Sequence, residues 1–325
     1  MGIMVPVART ILREHKRKPI TGRGLLIGRQ TIPLTIDEAR AMVREEGIAL
    51  RDTIPRLDTT TFAGKGRDFI EDISFFELFS DITFRTLDVT DYEGAEIIHD
   101  MHVPVPDDLE NNFDFLWNGS CLDNMFDPAM AMRSTGRMLR PGGRVICMEM
   151  GTPHYDAYTM YSQAWFFDYF AINNYKYCKI YSCVFGAKDV WDGPYDLYVP
   201  DNYRDASRLF PMKTFPKKAL ITLAIAEKGS ESTWAKMPVQ WQYRPDHTVY
   251  REAFDRFIVD DLMPLHARSR KTVPERPGFK FVGQLEAIPG RRFPNERSPI
   301  GPRLSKALAN PSWAVQRLFQ KLRYG

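Results

Sequence analysis

The chain has 325 residues, of which 44% are hydrophobic and 26% charged, with a formal net charge of +3. That size suits one large domain or a domain with an appendage, and the nearly balanced charge argues against a nucleic-acid partner. No apolar run approaches the roughly 20 residues of a membrane span, and the short "GIMVPV" start is no signal peptide, so a cytoplasmic location is expected.

The first twenty residues are basic, as are the last thirty. The run Leu25, Leu26, Ile27 ends at Gly28 and reads as a strand. After a turn, Thr35 and Glu38 form a capping box, and Ala39, Met42 and Val43 give the helix that follows one apolar face. Residues 47–80 contain "DTTTFAGKG", a glycine-bearing loop expected to act as a lid, and then a helix with Phe69, Ile73 and Phe76 on its apolar side.

Next come a strand ending at Asp88, a shorter one ending near His99 and Asp100, and a third over 113–118. Asp127 and Pro128 suit the N-cap and first position of a helix running to about Leu139. Pro141 then stops that helix, and Gly142 and Gly143 turn the chain into the apolar strand "RVICMEM". A continuous apolar strand between helices marks a parallel sheet covered on both faces. The fold class is therefore α/β: a doubly wound, mostly parallel, Rossmann-like sheet.

The stretch 162–187 reads as an aromatic-rich helix followed by a strand over 179–185, 221–226 as the last strand and 250–270 as a helix. From about 272 the chain is rich in Pro, Gly and Arg and reads as an extended arm ending in a short amphipathic helix. The domains expected are an α/β unit over 1–230, with 47–80 inserted after its first strand and helix, and an extension over 231–325. The arm offers a surface for a protein partner or a second copy of the chain. The four cysteines lack zinc-type spacing and the histidines lack a third ligand, so structural thiols and no metal are expected.

The order seen over 95–150 is an acid after strand three, "FD" opening strand four, a "D-P" helix start and "R-x-L-R-P-G-G" before strand five. In that order the chain resembles the class I S-adenosylmethionine (SAM)-dependent methyltransferases, over roughly residues 22–228. The resemblance implies SAM as cofactor and direct methyl displacement onto a small polar acceptor, such as a sugar in polysaccharide biosynthesis. It places Asp88 on the ribose hydroxyls, Asp100 beside the adenine with Met101 or His102 in the wall, and Asn118 with the Gly119–Leu122 loop beside the sulfonium. The first strand and loop, "LLIGRQTI", depart from the family pattern. Gly28 is kept, but Leu26 replaces an acid, and Gln30 and Ile32 replace glycines; Arg29 and Gln30 would line the cofactor site.

His154 and His102 are the candidate bases for a hydroxyl acceptor. Tyr155, Tyr158 and Trp165, within an aromatic cluster, are candidates for the acceptor pocket, against the alternative of a helix packed into the core. The altered loop keeps a second reading open: a methyltransferase-like subunit without catalysis that serves in binding or assembly. A third is a Rossmann-like protein using another nucleotide, with Arg29 on a phosphate.

Overall fold

A computed structural model describes residues 2–153, 157–215, 217–257, 277–291 and 293. Among these, nine strands form one sheet in the order β3-β2-β1-β4-β5-β8-β6-β7-β9. The strands are β1 (Arg23–Ile27), β2 (Thr83–Asp88), β3 (Ile97–Ile98), β4 (Phe113–Gly119), β5 (Leu139–Met150), β6 (Tyr177–Gly186), β7 (Tyr195–Pro200), β8 (Lys218–Glu227) and β9 (Phe279–Leu285). β1 to β5 are mutually parallel, and β8 runs antiparallel between β5 and β6. This is the doubly wound order 3-2-1-4-5-6 with one reversed strand slotted in before the sixth.

The helices are α1 (Val5–Arg17), α2 (Ile36–Glu45), α3 (Asp72–Glu77), α4 (Pro128–Met138), α5 (Gln163–Ile172), α6 (Tyr203–Ala206) and α7 (Thr248–Phe257). Successive strand residues point to opposite faces, so each face gathers its own core. Leu26, Phe115, Trp117 and Ile146 meet Ala8, Ile11, Met42 and Phe75 from α1, α2 and α3. Leu25, Ile27, Leu116 and Val145 meet Met132, Phe166, Phe170 and Ala253 from α4, α5 and α7. The aromatic helix α5 is hydrophobic nearly all round, and Phe166, Phe167, Tyr169 and Phe170 are buried in that second core.

The caps form as their residue types dictate. Glu38 N–H donates to Thr35 Oγ1 at 3.2 Å while Thr35 N–H donates to Glu38 Oε2 at 2.8 Å. Asp127 Oδ1 accepts from Met130 N–H at 3.0 Å, with Pro128 at the first helical position.

Three features differ from the sequence reading. The basic start is the helix α1, with Arg9 and Arg13 buried against Glu46 at 3.2 and 3.0 Å. The Arg-Pro-Gly-Gly segment is a bulge inside β5: Leu139 pairs with Phe113 and Arg144 with Phe115, so residues 140–143 loop out with Gly142 at φ +82. Part of the expected arm is β9, which pairs with β7 along the sheet's outer edge. Residues up to Ile288 form one compact unit; of a second unit beginning at Pro289, only 289–291 and 293 are described, so the terminal helix lies outside the described residues. Among the described residues no helix is long and apolar enough to cross a membrane.

The Arg9, Arg13 and Glu46 cluster has a testable pH signature. Burial pushes the Glu46 carboxyl up, but the hydrogen bonds and charges of Arg13 and Arg9 outweigh it and leave the carboxyl below 4.5. A depressed carboxyl stabilises fully above its unfolded value, and that contribution is lost as pH falls through the folded one. Glu46→Gln should therefore cost about 2–4 kcal/mol in urea unfolding at neutral pH, and the deficit should shrink to nothing in acid.

Candidate functional site

A cavity of about 540 Å³ opens at the carboxyl ends of β1, β2, β3 and β4. In a parallel sheet this is where ligands bind, because the strand-end loops diverge there. Gly28, Arg29 and Gln30 line it from the loop after β1, Asp88 and Glu93 from β2 and the following turn, and His99, Asp100, Met101 and His102 from beyond β3. Ser120 and Cys121 line it from beyond β4.

The first loop is held by an acid the sequence reading missed. Gly28 takes φ +70, its N–H donating to Leu87 O at 2.8 Å. A Cβ there would lie 3.4 Å from Cys121 Sγ and 3.8 Å from Asp88 Oδ2. The next residue turns its guanidinium away: Arg29 Nε and Nη2 donate to Asp72 at 3.0 and 2.7 Å, and Nη2 also reaches Glu71 at 3.0 Å. Gln30 N–H donates to Asp72 Oδ2 at 2.7 Å, and Gln30 Nε2 folds back to Gly28 O at 3.2 Å. Burial pushes the Asp72 carboxyl up, while Arg29 and the N–H groups of Gln30 and Ile73 pull it down. Burial disfavours the Arg29 charge too, yet its bonds to Asp72 and Glu71 raise its pKa. A two-pronged guanidinium contact with backbone N–H donors alongside is the geometry of an ionised pair, and we read it so. The only sequence signal was an acid opening a helix.

On the opposite wall Asp88 Oδ1 accepts from Val89 N–H at 2.6 Å, leaving Oδ2 toward the Gly28 turn. Asp100 Oδ1 accepts from the backbone N–H and Nδ1 of His102 at 2.9 and 2.7 Å, bonds that hold its carboxyl below the usual range. His102 Nε2 accepts from Phe126 N–H at 3.0 Å, which assigns the ring proton to Nδ1 and occupies the remaining lone pair. His102 is thus in the cavity wall with both nitrogens engaged. His99 Nε2 lies 3.3 Å from Val103 O.

Asn118 does not line the cavity. It is fully buried at the end of β4, and neither side-chain atom has a hydrogen-bond partner among the described residues. Beyond it, Ser120 Oγ donates to Asp123 Oδ2 at 2.6 Å, and Glu149 accepts from Leu122 and Asp123 N–H at 3.3 and 3.2 Å. Burial and the charge of Asp123 push the Glu149 carboxyl well above its usual range. An acid inside the apolar run "RVICMEM" was its signal, passed over in the sequence reading. Cys121 Sγ donates to Ile27 O at 2.8 Å, and burial and Glu149 push its thiol up.

The acceptor candidates are scattered. Trp165 packs against Tyr161 and Phe166, with ring centroids 4.9 and 5.0 Å away, beside the second core rather than in the cavity. Tyr158 is exposed, edge-on to Phe126 at 6.1 Å and outside the cavity lining. His154 and Tyr155 lie outside the described residues. Among the described residues no group of three or more His, Cys, Asp or Glu is placed to hold a metal ion.

Residues 91–174, which carry Glu93 through Cys121 and the start of β5, match the model of the ubiE/COQ5 methyltransferase family. The chain's own topology is that of a doubly wound, mostly parallel α/β sheet. Demethylmenaquinone methyltransferase of Bacillus licheniformis is 36% identical over 64 residues, 19% of this chain and 26% of that protein. Its counterpart in Listeria welshimeri is 32% identical over 78 residues, 23% of this chain and 32% of that protein. The chain thus spans between about a quarter and a third of the length of these curated relatives. Among solved structures, the citrinin polyketide synthase CMeT domain aligns at TM-score 0.37 and 10% identity, over 69% of this chain and 52% of that one. Burkholderia thailandensis 1,6-didemethyltoxoflavin-N1-methyltransferase aligns at 0.34 and 13%, over 69% and 77%.

Two outcomes follow from this geometry. Gly28→Ala should lower stability by about 1–2 kcal/mol in denaturant unfolding, because an L side chain is strained at positive φ. Cys121 should alkylate with iodoacetamide more slowly than free cysteine near neutral pH, because the thiolate is the reactive form.

Proposed function

We propose that the protein is a SAM-dependent methyltransferase acting on a small-molecule acceptor. The observation that carries this reading is the convergence of the Gly28 turn, Asp88 and Asp100 on one cavity at the strand ends. The cavity suits the cofactor: the missing Cβ at Gly28 leaves room beside Cys121, and the Asp88 carboxylate keeps an oxygen turned inward. When bound, the sulfonium supplies an activated methyl group for direct displacement.

The chain's own residues then have separate tasks. Asp88 accepts from the ribose hydroxyls, Asp100 and Met101 flank the adenine, and Gly28 and Gln30 border the amino-acid end. The unpartnered Asn118 amide lies beneath this region, where a polar group without a partner is costly and a bound water or ligand atom would satisfy it. Of the two cavity histidines, His99 is the better base. Its Nε2 donates to Val103 O and leaves Nδ1 to take a proton, whereas both nitrogens of His102 are committed.

For the acceptor, the sugar suggested by the sequence gains no support. The relatives act, by name, on a demethylmenaquinone. Exposed Val89, Val103, Phe126 and Tyr158 lie on or next to lining segments and give the mouth an apolar, aromatic rim. We read the acceptor as apolar or aromatic. A non-catalytic binding subunit remains a second reading, favoured by one observation: the candidate base His102 has no lone pair left.

Titration calorimetry should detect SAM and S-adenosylhomocysteine binding, and Asp88→Ala should weaken both by about 1–3 kcal/mol. Lack of wild-type binding at millimolar SAM would overturn the reading. Binding without methyl transfer to quinone-like or other aromatic acceptors would favour the second one.

A further inference from the structure

We propose that Asp72 is the positioning residue of the cofactor loop, and that it also withdraws the positive charge of Arg29 from the cavity. The inference rests on the reading of the cavity as a SAM site. Past Gly28 the loop reads Arg-Gln-Thr-Ile, without a further glycine, so its backbone must be shaped by something other than conformational freedom. Asp72 accepts from Nε and Nη2 of the Arg29 guanidinium and from Gln30 N–H. Its own position is fixed, for it opens α3 and its side chain is wholly buried. Glu71 beside it is braced by Arg56 at 2.6 Å and Ser74 at 3.0 Å while it reaches Arg29.

Arg29 lines the cavity, yet its guanidinium points into the acids of α3. SAM carries a sulfonium, an ammonium and a carboxylate and is a net cation; S-adenosylhomocysteine lacks the sulfonium charge and is net neutral. A guanidinium released into the cavity would repel the first more than the second. Adenosine, lacking the amino-acid end altogether, would feel neither the loop nor the charge strongly.

The test is titration calorimetry of the full chain with these three ligands. In Asp72→Asn, SAM should bind about tenfold or more weakly, S-adenosylhomocysteine less so, and adenosine within about twofold of wild type. The double variant Arg29→Gln/Asp72→Asn leaves no uncompensated buried charge and decides the matter if the single variant does not fold. It should lose SAM and S-adenosylhomocysteine equally while keeping adenosine. A purely structural role for Asp72 predicts equal losses for all three ligands; that result, or no loss at all, overturns the proposal. Failure of the wild type to bind SAM overturns the function reading and this inference with it, whereas wild-type binding with an ungraded variant overturns only the inference.

Discussion

A charge taken out of water must find a partner, and this chain uses that constraint to decide where its pieces meet. Glu14 and Arg144 are both nearly inaccessible and lie 3.0 Å apart, and the same guanidinium donates to Lys18 O at 2.6 Å. The end of α1 is thereby fixed to the strand that leaves the Arg-Pro-Gly-Gly bulge. Arg9 and Arg13 join α1 to the end of α2 through Glu46. Arg29 joins the loop after β1 to α3 through Asp72. On the other face Asp168 of α5 pairs with Arg244, whose guanidinium lies 3.6 Å from the centre of the Tyr250 ring of α7. Apolar contact makes each of these junctions favourable, but it is tolerant of sliding; a buried ion pair has one geometry and leaves little choice of register.

The same constraint explains what was legible in the sequence and what was not. The strands β1, β2, β4 and β5, the capping box of α2 and the Asp127 start of α4 are written in local patterns, and local patterns could be read. The helix α1 was hidden because two of its arginines look like a solvated face and are in fact inside. Its partner, Glu46, lies more than thirty residues away, and no periodicity reports such a pairing. β9 was hidden by the prolines and arginines around it. Only its pairing with β7, some eighty residues earlier, gives it a reason to be extended.

Around the cavity, the candidates that come together are those whose position follows from topology. Asp88 ends β2, Asp100 follows β3, and Gly28 follows β1; parallel neighbours bring their ends together without any further information. Residues that depend on tertiary approach were missed or misplaced. Trp165 carries two readings in the sequence, acceptor pocket or packed core, because aromatic residues serve both, and its packing beside the second core follows the latter. Glu149 has no such mark, because an isolated acid in an apolar stretch has no local signature of function.

The altered loop is where these strands of argument meet. A glycine-rich loop reaches a close backbone path by lacking side chains, and its conformation costs entropy when the chain folds. Here Gln30 and Ile32 carry side chains, and both are buried: Ile32 in the first core, and Gln30 folded against its own loop, 2% exposed. The side chains are thus consumed by the fold instead of filling the cavity. The loop's glycine, Gly28, stands where φ is +70, a backbone conformation that strains an L side chain, with Cys121 and Asp88 at contact distance from where a Cβ would lie. What glycine freedom would have given is replaced by an external anchor, and the anchor comes from the insertion that separates α2 from β2. The side-chain-bearing loop and the long segment between α2 and β2 are complementary in space, since Asp72 from the latter holds the backbone of the former.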